Sequence, residues 1–440
     1  MATEWFKPRG YRHFDRPISV DFAEKAMDGA YVASHSFSPL IHYLKTEKRY
    51  KRLTPSGPRS VVLKERPIKY ASHKDACIFS YYGHLLEEKL ENHYSMSGLN
   101  RNVIAYRGIG LSNYDFAAEA LRFAHQLRQA SILAFDVSSF FDTLDHALLK
   151  SRLKNLLGVS EIPEDWYKVF QSITRFHFVE IDALKAHNKF GARLKHRTRD
   201  RICSLRELKE EKIKIHINPE LLDGRRRGIP QGTPISAVMS NLYMVEFDTA
   251  AAALAAKFGA LYRRYSDDIL LICSPEHSAA AEVAIKEYIS REKLDLSESK
   301  TERTHFDIES EMPRAGKAAQ YLGFNLLEQG ATIRESSLSR QWRKMRQAIK
   351  RTRKIALSSK SDSKGRKVYL KKLTRRFTCV KVNRVDGLKT IRNFSAYGRR
   401  SCGSFAANQK IKHQVKRLEK AAALEIAKLK ALRSTQTSQE

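Results

Sequence analysis

Three aspartates lie beside short apolar runs, where carboxylates are unusual. Asp136 ends one run, and Asp267 and Asp268 separate two others; the runs are residues 131–137, 261–265 and 269–273. Two carboxylates about 4 Å apart repel by roughly 4 kcal/mol at an effective dielectric of about 20. Such a cluster either binds a proton at a raised pKa or binds a cation. Mg²⁺ prefers oxygen ligands and serves phosphoryl transfer, whereas an Asp-Asp pair alone is typical of a solvated turn.

The elements that must position these carboxylates are strands. Residues 131–137 have strand length, and the runs around the Asp pair have the pattern of a tight hairpin. Residues 60–68 and 321–327 are also predicted to be extended. Apolar residues at helical spacing predict helices at residues 21–50, 73–93, 113–129, 145–157, 163–174, 235–256 and 279–291. Strands and helices in alternation, followed by an all-helical end, predict an α/β (α+β) fold.

Four segments, in this order along the chain, resemble the motifs of reverse transcriptases. They are Phe-Asp-Val-Ser-Ser-Phe-Phe-Asp at residues 135–142, Gly-Ile-Pro-Gln-Gly-Thr-Pro-Ile-Ser at 228–236, Tyr-Ser-Asp-Asp at 265–268 and Tyr-Leu-Gly-Phe at 321–324. A Tyr-x-Asp-Asp motif alone is weak, but the four together are specific. The resemblance covers residues 64–327 and extends more loosely into the basic end.

The resemblance implies a right-hand polymerase fold with fingers, palm and thumb. The expected parts are an N-terminal helical extension (1–60), fingers (61–130), a palm (131–330) that carries a fingers insertion (183–218), and a basic helical thumb and C-terminal RNA-binding region (331–440). The fingers and palm would contain an antiparallel sheet with helices. The insertion is rich in Lys and Arg, so we expect either contact with RNA or a disordered solvated loop.

The same resemblance assigns the catalytic residues. Asp136, Asp267 and Asp268, with the backbone carbonyl of Val137, would hold two Mg²⁺ ions, for which Mn²⁺ could substitute. The primer 3′-hydroxyl would then attack the α-phosphate of the incoming nucleotide. Lys300 matches a lysine that protonates the leaving pyrophosphate, and a surface charge is the alternative.

The resemblance also assigns four further residues to nucleotide binding. Arg66 would grip the triphosphate, since Arg offers a fork of donors, or it is a surface charge. Phe141 would be a steric gate that excludes a 2′-hydroxyl, or it is a core residue. Gln231 would contact the nascent base pair or sugar, and Gly232 would let the backbone approach the nucleotide.

Primer and template contacts are expected from two segments. Tyr321, Leu322, Gly323 and Phe324 resemble the primer grip, and an ordinary buried strand is the alternative. A basic amphipathic helix follows, with its apolar stripe at Leu338, Trp342, Met345 and Ile349. We expect its cations to lie on the template–product duplex; they include Arg340, Arg343, Lys344 and Arg346.

Most of the net positive charge lies in the last quarter of the chain. The net charge is +32, and residues 335–440 contain 30 Lys/Arg against 6 Asp/Glu. Such a surplus predicts a polyanionic partner. A second apolar stripe there would pack on the thumb or mediate self-association; it comprises Ile411, Val415, Leu418, Ala422 and Leu429. The interleaved aromatic residues would stack on RNA or form a small core; they are Phe377, Phe394, Tyr397 and Phe405.

Three segments look like those of the bacterial defence-associated reverse transcriptases, the unknown-group and abortive-infection-related enzymes. They are Arg-Pro-Ile-Lys-Tyr-Ala-Ser-His-Lys-Asp at residues 66–75, Val-Ile-Ala-Tyr-Arg at 103–107 and Ser-Ser-Leu-Ser-Arg at 336–340. This likeness implies an antiviral enzyme that copies an associated noncoding RNA into cDNA from dNTPs. The alternatives are a template-independent or protein-primed DNA synthesiser, and a non-catalytic RNA-binding scaffold.

The expected compartment follows from the cysteines and the apolar runs. The five cysteines show no metal-ligand spacing, so we expect free thiols in a reducing compartment. No apolar run approaches the roughly 20 residues that span a bilayer. We therefore expect a cytoplasmic protein with no membrane partner.

Overall fold

The computed structural model describes residues 4–52, 57, 59–195, 200–310, 317–358, 370–384, 387–406 and 408–437. Within these residues the helices, α1 to α18 in chain order, are Phe22–Met27, Gly29–Ser34, His73–Met96, Asn113–Leu127, Phe140–Thr143, His146–Leu157, Glu164–Thr174, Ile181–Ala186, Asn188–Lys195, Leu205–Glu210, Pro219–Leu222, Ser236–Tyr243, Val245–Lys257, Ser278–Arg291, Glu335–Ser358, Leu370–Phe377, Phe394–Ser404 and Gln409–Thr437.

The strands of the same described ranges, β1 to β15, are Leu40–Leu44, Glu47–Arg52, Arg59–Lys64, Pro67–Tyr70, Gln129–Asp136, His177–Glu180, His216–Ile217, Leu261–Tyr265, Asp268–Cys273, Glu302–Asp307, Ala319–Tyr321, Phe324–Leu327, Gly330–Ile333, Lys381–Arg384 and Gly387–Thr390. Short 3-10 helices lie at Pro275–His277 and Glu298–Lys300. Both the hairpin β8–β9 and the strand β5 lie where the apolar runs predicted them.

The sheet that carries the three aspartates is antiparallel, with strand order β10-β5-β9-β8. Both of its faces are covered. Leu133 and Leu271 enter a first core, which is formed with α3, α6, α7 and α12 to α14. Ile132 and Leu270 enter a second core, formed with α4, the β11–β12–β13 sheet and the start of α18. Because a strand alternates its side chains, one sheet serves both cores.

A second sheet, in the order β4-β1-β6-β7, corrects the prediction of a helix over residues 21–50. The segment is helical only as far as Ser34, and β1 and β2 follow, so the predicted N-terminal helical extension is helical only in part. β1 pairs antiparallel with β4 and parallel with β6, and Ile41 is fully buried in a third core. Pairing with partners distant in sequence thus outweighs the local apolar spacing.

Two other predicted elements are each divided. The helix predicted at residues 235–256 breaks into α12 and α13 at Met244. The strand predicted at residues 321–327 is a hairpin, because Leu322 and Gly323 adopt positive φ values of 44° and 92° between β11 and β12. The four residues of the Tyr-Leu-Gly-Phe motif therefore form the tip of a turn.

The basic insertion is folded where the structure describes it. Leu184, Phe190, Ile202 and Leu208 are buried in the third core. Several of its cations are paired internally, Lys185 with Asp182 at 2.7 Å, Lys189 with Glu211 at 3.1 Å and Arg193 with Glu207 at 2.8 Å. Lys195 and Arg201 are exposed, and Arg197 and Arg199 lie outside the described residues.

The two apolar stripes of the basic end pack against each other. Met345 and Ile349 of α15 share a fourth core with Leu373 and Phe377 of α16 and with part of α18, Leu418, Ala422 and Leu429. The stripe on α18 is therefore used within the chain. Phe405 contacts Phe324 at 5.0 Å between ring centroids, so this aromatic residue belongs to the second core. No helix in the described ranges is long and apolar enough to cross a membrane.

The packing of α17 on α18 can be tested at a glycine. A Cβ at Gly398 would lie 2.5 Å from Cγ2 of Val415, whereas a Cβ at Gly403, in the same helix, meets nothing within 4 Å. Gly398→Ala should lower the free energy of unfolding by about 1–3 kcal/mol through overpacking. Gly403→Ala should be neutral or raise it by up to about 1 kcal/mol. Chemical denaturation measures both values, and equal effects would contradict this packing.

Candidate active site

The register of β5 and β9 places Asp136 directly opposite Asp268. Asp136 is the last residue of β5, and Asp268 is the first residue of β9. They continue the rows of Ile132 and Leu270, so both carboxylates belong to the face of the second core. Directly opposed residues of an antiparallel pair have Cβ atoms roughly 5 Å apart. The fold therefore holds two carboxylates side by side where the sheet ends.

Asp267 joins them through the turn between β8 and β9. Its carbonyl oxygen accepts a hydrogen bond of 3.1 Å from the backbone N–H of Val137. This bond fastens the turn to the residue that follows β5. The structure thus brings together Asp136, Val137, Asp267 and Asp268, which the sequence assigned to one site.

The negative charge of this cluster affects the pKa of Asp268. Its side chain is exposed, yet the surrounding protein still withdraws water from the carboxyl. This desolvation, followed by the negative charges of Asp267 and Asp136, raises the pKa of Asp268 to about 7. Lys64 and Lys300 lower it only in part. The site therefore has a local surplus of negative charge that a bound cation would relieve.

Lys300 is the nearest cation to this surplus. It ends the 3-10 helix Glu298–Lys300, which starts beside β5 because Ser297 N–H donates to the Asp136 carbonyl at 2.8 Å. Its Nζ forms an ion pair with Oδ2 of Asp136, although the lysine side chain is half exposed. This contact is consistent with the prediction that Lys300 belongs to the site. The predicted role of Lys300 in proton transfer stays a prediction.

Whether a divalent cation fits this site depends on which atoms are available as its ligands. Within the described residues, no group of three or more His, Cys, Asp and Glu side chains is arranged to hold a metal ion. Asp136 makes its ion pair with Lys300 instead. The oxygens of Asp136, Asp267 and Asp268 are nevertheless the hard ligands that Mg²⁺ prefers. Together with the raised pKa of Asp268, they fit a divalent cation once Lys300 releases Asp136.

The Gly-Ile-Pro-Gln-Gly loop docks between two other predicted site elements. Ile229 N–H donates to the Phe141 carbonyl at 2.8 Å, and the Gln231 carbonyl accepts from Lys69 N–H at 2.8 Å. Gly232 has a φ of 121°, and a Cβ there would lie 2.8 Å from the carbonyl of Lys69. The glycine is thus required by a close approach to β4. The loop connects Phe141, which is half-buried, to the strand after Arg66.

Arg66 lies between β3 and β4, outside the sheet that carries Asp136 and Asp268. Its guanidinium pairs with Glu47 at 3.4 Å, and its backbone makes two hydrogen bonds with Lys45. No contact joins it to Asp136 or Asp268 among the described residues. The neighbouring cation Lys64 does act on Asp268, and sequence reasoning missed it. A basic residue within a predicted strand, two before the Arg-Pro pair, was the available signal.

The Tyr-Leu-Gly-Phe turn approaches the aspartates from the second core. Tyr321 and Phe324 are buried, and Leu322 and Gly323 are half-buried at the tip. Burial raises the pKa of Tyr321, Arg263 lowers it and Asp268 raises it, which shows that the tyrosine lies near the acidic site. Arg340, Arg343, Lys344 and Arg346 all lie exposed on α15, as the amphipathic pattern predicted.

Comparison with known proteins adds a family and a fold. A family described as reverse transcriptase (RNA-dependent DNA polymerase) matches residues 76–326, more than half of the chain. Telomerase from Candida albicans, solved in complex with a TWJ fragment of telomeric RNA, is similar over 94% of this chain at 13% identity and a TM-score of 0.45. Apo telomerase from Candida tropicalis, truncated from its C-terminal domain, is similar over 67% at 13% identity and a TM-score of 0.43.

The chain spans between half and three fifths of the length of those structures, 58% and 56% respectively. The family match, together with the mixed sheets and helices, confirms the predicted α/β class and right-hand polymerase fold.

Removing the charge of Asp268 should stabilise the protein in EDTA. The pKa of about 7 in the folded state lies above the usual value of 3.8, so this carboxyl lowers the stability progressively between these two pH values, and the loss is complete above pH 7. Asp268→Asn should raise the melting temperature by about 1–3 °C at pH 8, and by less at pH 6, where the wild-type carboxyl is protonated. Thermal unfolding at both pH values measures this. A gain that is larger at pH 6, or a loss at pH 8, would contradict the charge surplus.

Proposed function

The chain belongs to the reverse transcriptase (RNA-dependent DNA polymerase) family, and on that premise we propose that it is an RNA-directed DNA polymerase. The observation that carries the proposal is the register that sets Asp136 opposite Asp268, with Asp267 fastened beside them by the Val137 N–H. A nucleotidyl transferase needs negative ligands of this kind, held rigidly, where a triphosphate arrives.

The acidic residues would hold two Mg²⁺ ions, with Mn²⁺ as the substitute. The ligands would be Asp136, Asp267, Asp268 and the carbonyl of Val137. When bound, the ions activate the primer 3′-hydroxyl and offset the charge of the triphosphate. The raised pKa of Asp268, caused by desolvation and then by the charges of Asp267 and Asp136, supports this proposal.

The remaining site residues would bind and orient the nucleotide. Lys300 would leave Asp136 for the phosphates and give its proton to the departing pyrophosphate, a transfer supported by its position on Asp136. Lys64, the last residue of β3, and Arg66, between β3 and β4, would contact the triphosphate. Phe141 and Gln231 belong to segments joined by the Ile229–Phe141 hydrogen bond, which suits a shared role under the sugar and base.

The subdomains follow from the same assignment. The β10-β5-β9-β8 sheet would be the palm, and the β2–β3 hairpin with β4 would belong to the fingers. The helices α15 to α18 would form the thumb and the RNA-binding end, with the exposed cations of α15 on the template–product duplex. The surplus of Lys and Arg in residues 335–440 supports a nucleic-acid partner.

The finer assignment is an antiviral role in the bacterial cytoplasm, in which the enzyme copies an associated noncoding RNA into cDNA. Its support is the likeness of residues 66–75, 103–107 and 336–340 to the defence-associated enzymes. Two of these segments contact elements that carry predicted site residues. Residues 67–70 receive the Gln231 loop, and residue 106 contacts the turn before Asp267.

The polymerase activity is tested by dNTP incorporation with the purified protein and its co-purified RNA. Asp267→Asn should reduce incorporation by at least about a thousandfold, because a ligand of the catalytic ions is lost. The matched control, Asp182→Asn, removes an exposed carboxylate whose ion pair, among the described residues, is with Lys185, and it should keep wild-type activity. Incorporation that survives in Asp267→Asn would contradict the proposal.

The antiviral role is tested in cells challenged with phage. Wild-type protein and Asp182→Asn should reduce plaque formation, and Asp267→Asn should not, since protection would need synthesis. Equal protection by all three would favour an RNA-binding scaffold. Sequencing the bound nucleic acids should show DNA complementary to one noncoding RNA. Product that is untemplated, or covalently bound to protein, would favour the template-independent or protein-primed alternative.

A further inference from the structure

A fully buried arginine lies behind the turn that carries Asp267. Arg264 is on β8, where it pairs with Ile269 and so faces the first core, away from Asp136 and Asp268. Its exposed fraction is 0%. The guanidinium donates to both carboxylate oxygens of Asp248, at 2.7 and 2.6 Å, and its third nitrogen donates to the carbonyl of Ser266 at 3.1 Å. Its fork therefore connects a core carboxylate to the turn.

The partners of Arg264 are themselves fixed. Asp248 also accepts from the hydroxyl of Tyr262 at 2.5 Å. Asn241 accepts from Arg264 at 3.2 Å and donates to the Ala105 carbonyl at 3.0 Å. Asn241 and Asp248 belong to α12 and α13, which follow the loop that contains Gln231. A buried ion pair adds little net stability, because desolvation offsets its attraction. Here the ion pair with Asp248 instead fixes the orientation of the Arg264 guanidinium, so the nitrogen that donates to the Ser266 carbonyl keeps one direction.

The turn needs such support because Ser266 is strained. Its φ is 60°, a left-handed conformation that costs a serine about 1–3 kcal/mol. Arg264 holds its carbonyl, and the hydroxyl of Tyr106 contacts its Oγ at 3.1 Å from the other side. Tyr106 reaches this place because residues 102–104 run alongside β8, with Ile104 N–H donating to the Arg264 carbonyl at 3.0 Å.

These contacts fix the direction of the Asp267 side chain. The peptide unit before Asp267 is held by Arg264 at the Ser266 carbonyl. The peptide unit after it is held by Val137 N–H at the Asp267 carbonyl. Since each peptide unit is planar, anchoring both leaves little freedom at the Cα between them.

We propose that Arg264 and Tyr106 are positioning residues that hold Ser266 in its left-handed conformation and so set the affinity of the acidic site for a divalent cation. The proposal rests on the proposed function only in taking the aspartates as cation ligands. It makes the buried Asp248–Arg264 pair a part of the active site's geometry, although neither residue touches the reacting atoms.

The experiment titrates the full-length protein with Mn²⁺ in the absence of nucleotides and follows free Mn²⁺ by electron paramagnetic resonance. Tyr106→Phe and Ser266→Ala remove the same hydrogen bond from its two ends, so each should weaken Mn²⁺ binding about fivefold. The double variant should be no weaker than either single one. Arg264→Lys should weaken binding by at least about tenfold, because a lysine keeps the charge but loses the fork.

Arg263→Lys is the matched control. Arg263 is also buried on β8, but its partners are Glu119 and the Tyr262 carbonyl, away from Ser266. Both arginine variants should lower the melting temperature, and only Arg264→Lys should lower Mn²⁺ affinity. Wild-type affinity in Tyr106→Phe, Ser266→Ala and any folded Arg264→Lys would overturn the proposal and leave the network a purely structural one.

If Arg264→Lys does not fold, the Tyr106 and Ser266 variants decide the question, because Tyr106 is 43% exposed and its hydroxyl supports no core. Failure of the proposed function looks different. Wild-type protein would then bind Mn²⁺ but incorporate no dNTP, and the Mn²⁺ affinities of the variants would still report on positioning.

Discussion

The repulsion between Asp136 and Asp268 is the constraint on which the rest of the structure depends. The antiparallel register of β5 and β9 sets them opposite each other, so the pairing of the two strands itself keeps the carboxylates close. Desolvation, then Asp267, and then this repulsion from Asp136 together raise the pKa of Asp268. The sheet tolerates the repulsion because both of its faces are covered by cores, so the burial of apolar side chains far exceeds the cost of one repulsive pair.

Positively charged side chains lie at three different distances from this negative charge. Lys300 pairs with Asp136 directly, and Lys64, the last residue of β3, acts on Asp268. Farther away, α15 to α18 display exposed Lys and Arg around a core of their own. In a chain of net charge +32, the acidic cluster is the exception. In the proposed function the two kinds of charge serve one reaction, since the cations would bind the polyanion and the aspartates would bind the metal ions that act on it.

Much of the site could be predicted because its signals are local. The strand and the hairpin that carry Asp136 and the Asp pair are short apolar runs, and the docking of the Gln231 loop depends on glycines. Features that depend on distant partners could not be predicted. β1 forms because of β4 and β6, which are far away in sequence. Arg264 looked like an ordinary strand residue, although an Arg in an apolar strand and an Asp in an Ala-rich helix were a signal for a buried pair.

In the proposed function, Asp136 and Asp268 are held together so that they share a divalent cation. Anomalous diffraction from crystals of the protein soaked in Mn²⁺ tests it most directly, because the signal locates the ion without reference to activity. We expect an anomalous peak between the carboxylates of Asp136 and Asp268, with Lys300 moved off Asp136. A fully occupied peak elsewhere on the chain, with the Lys300–Asp136 pair intact, would contradict it.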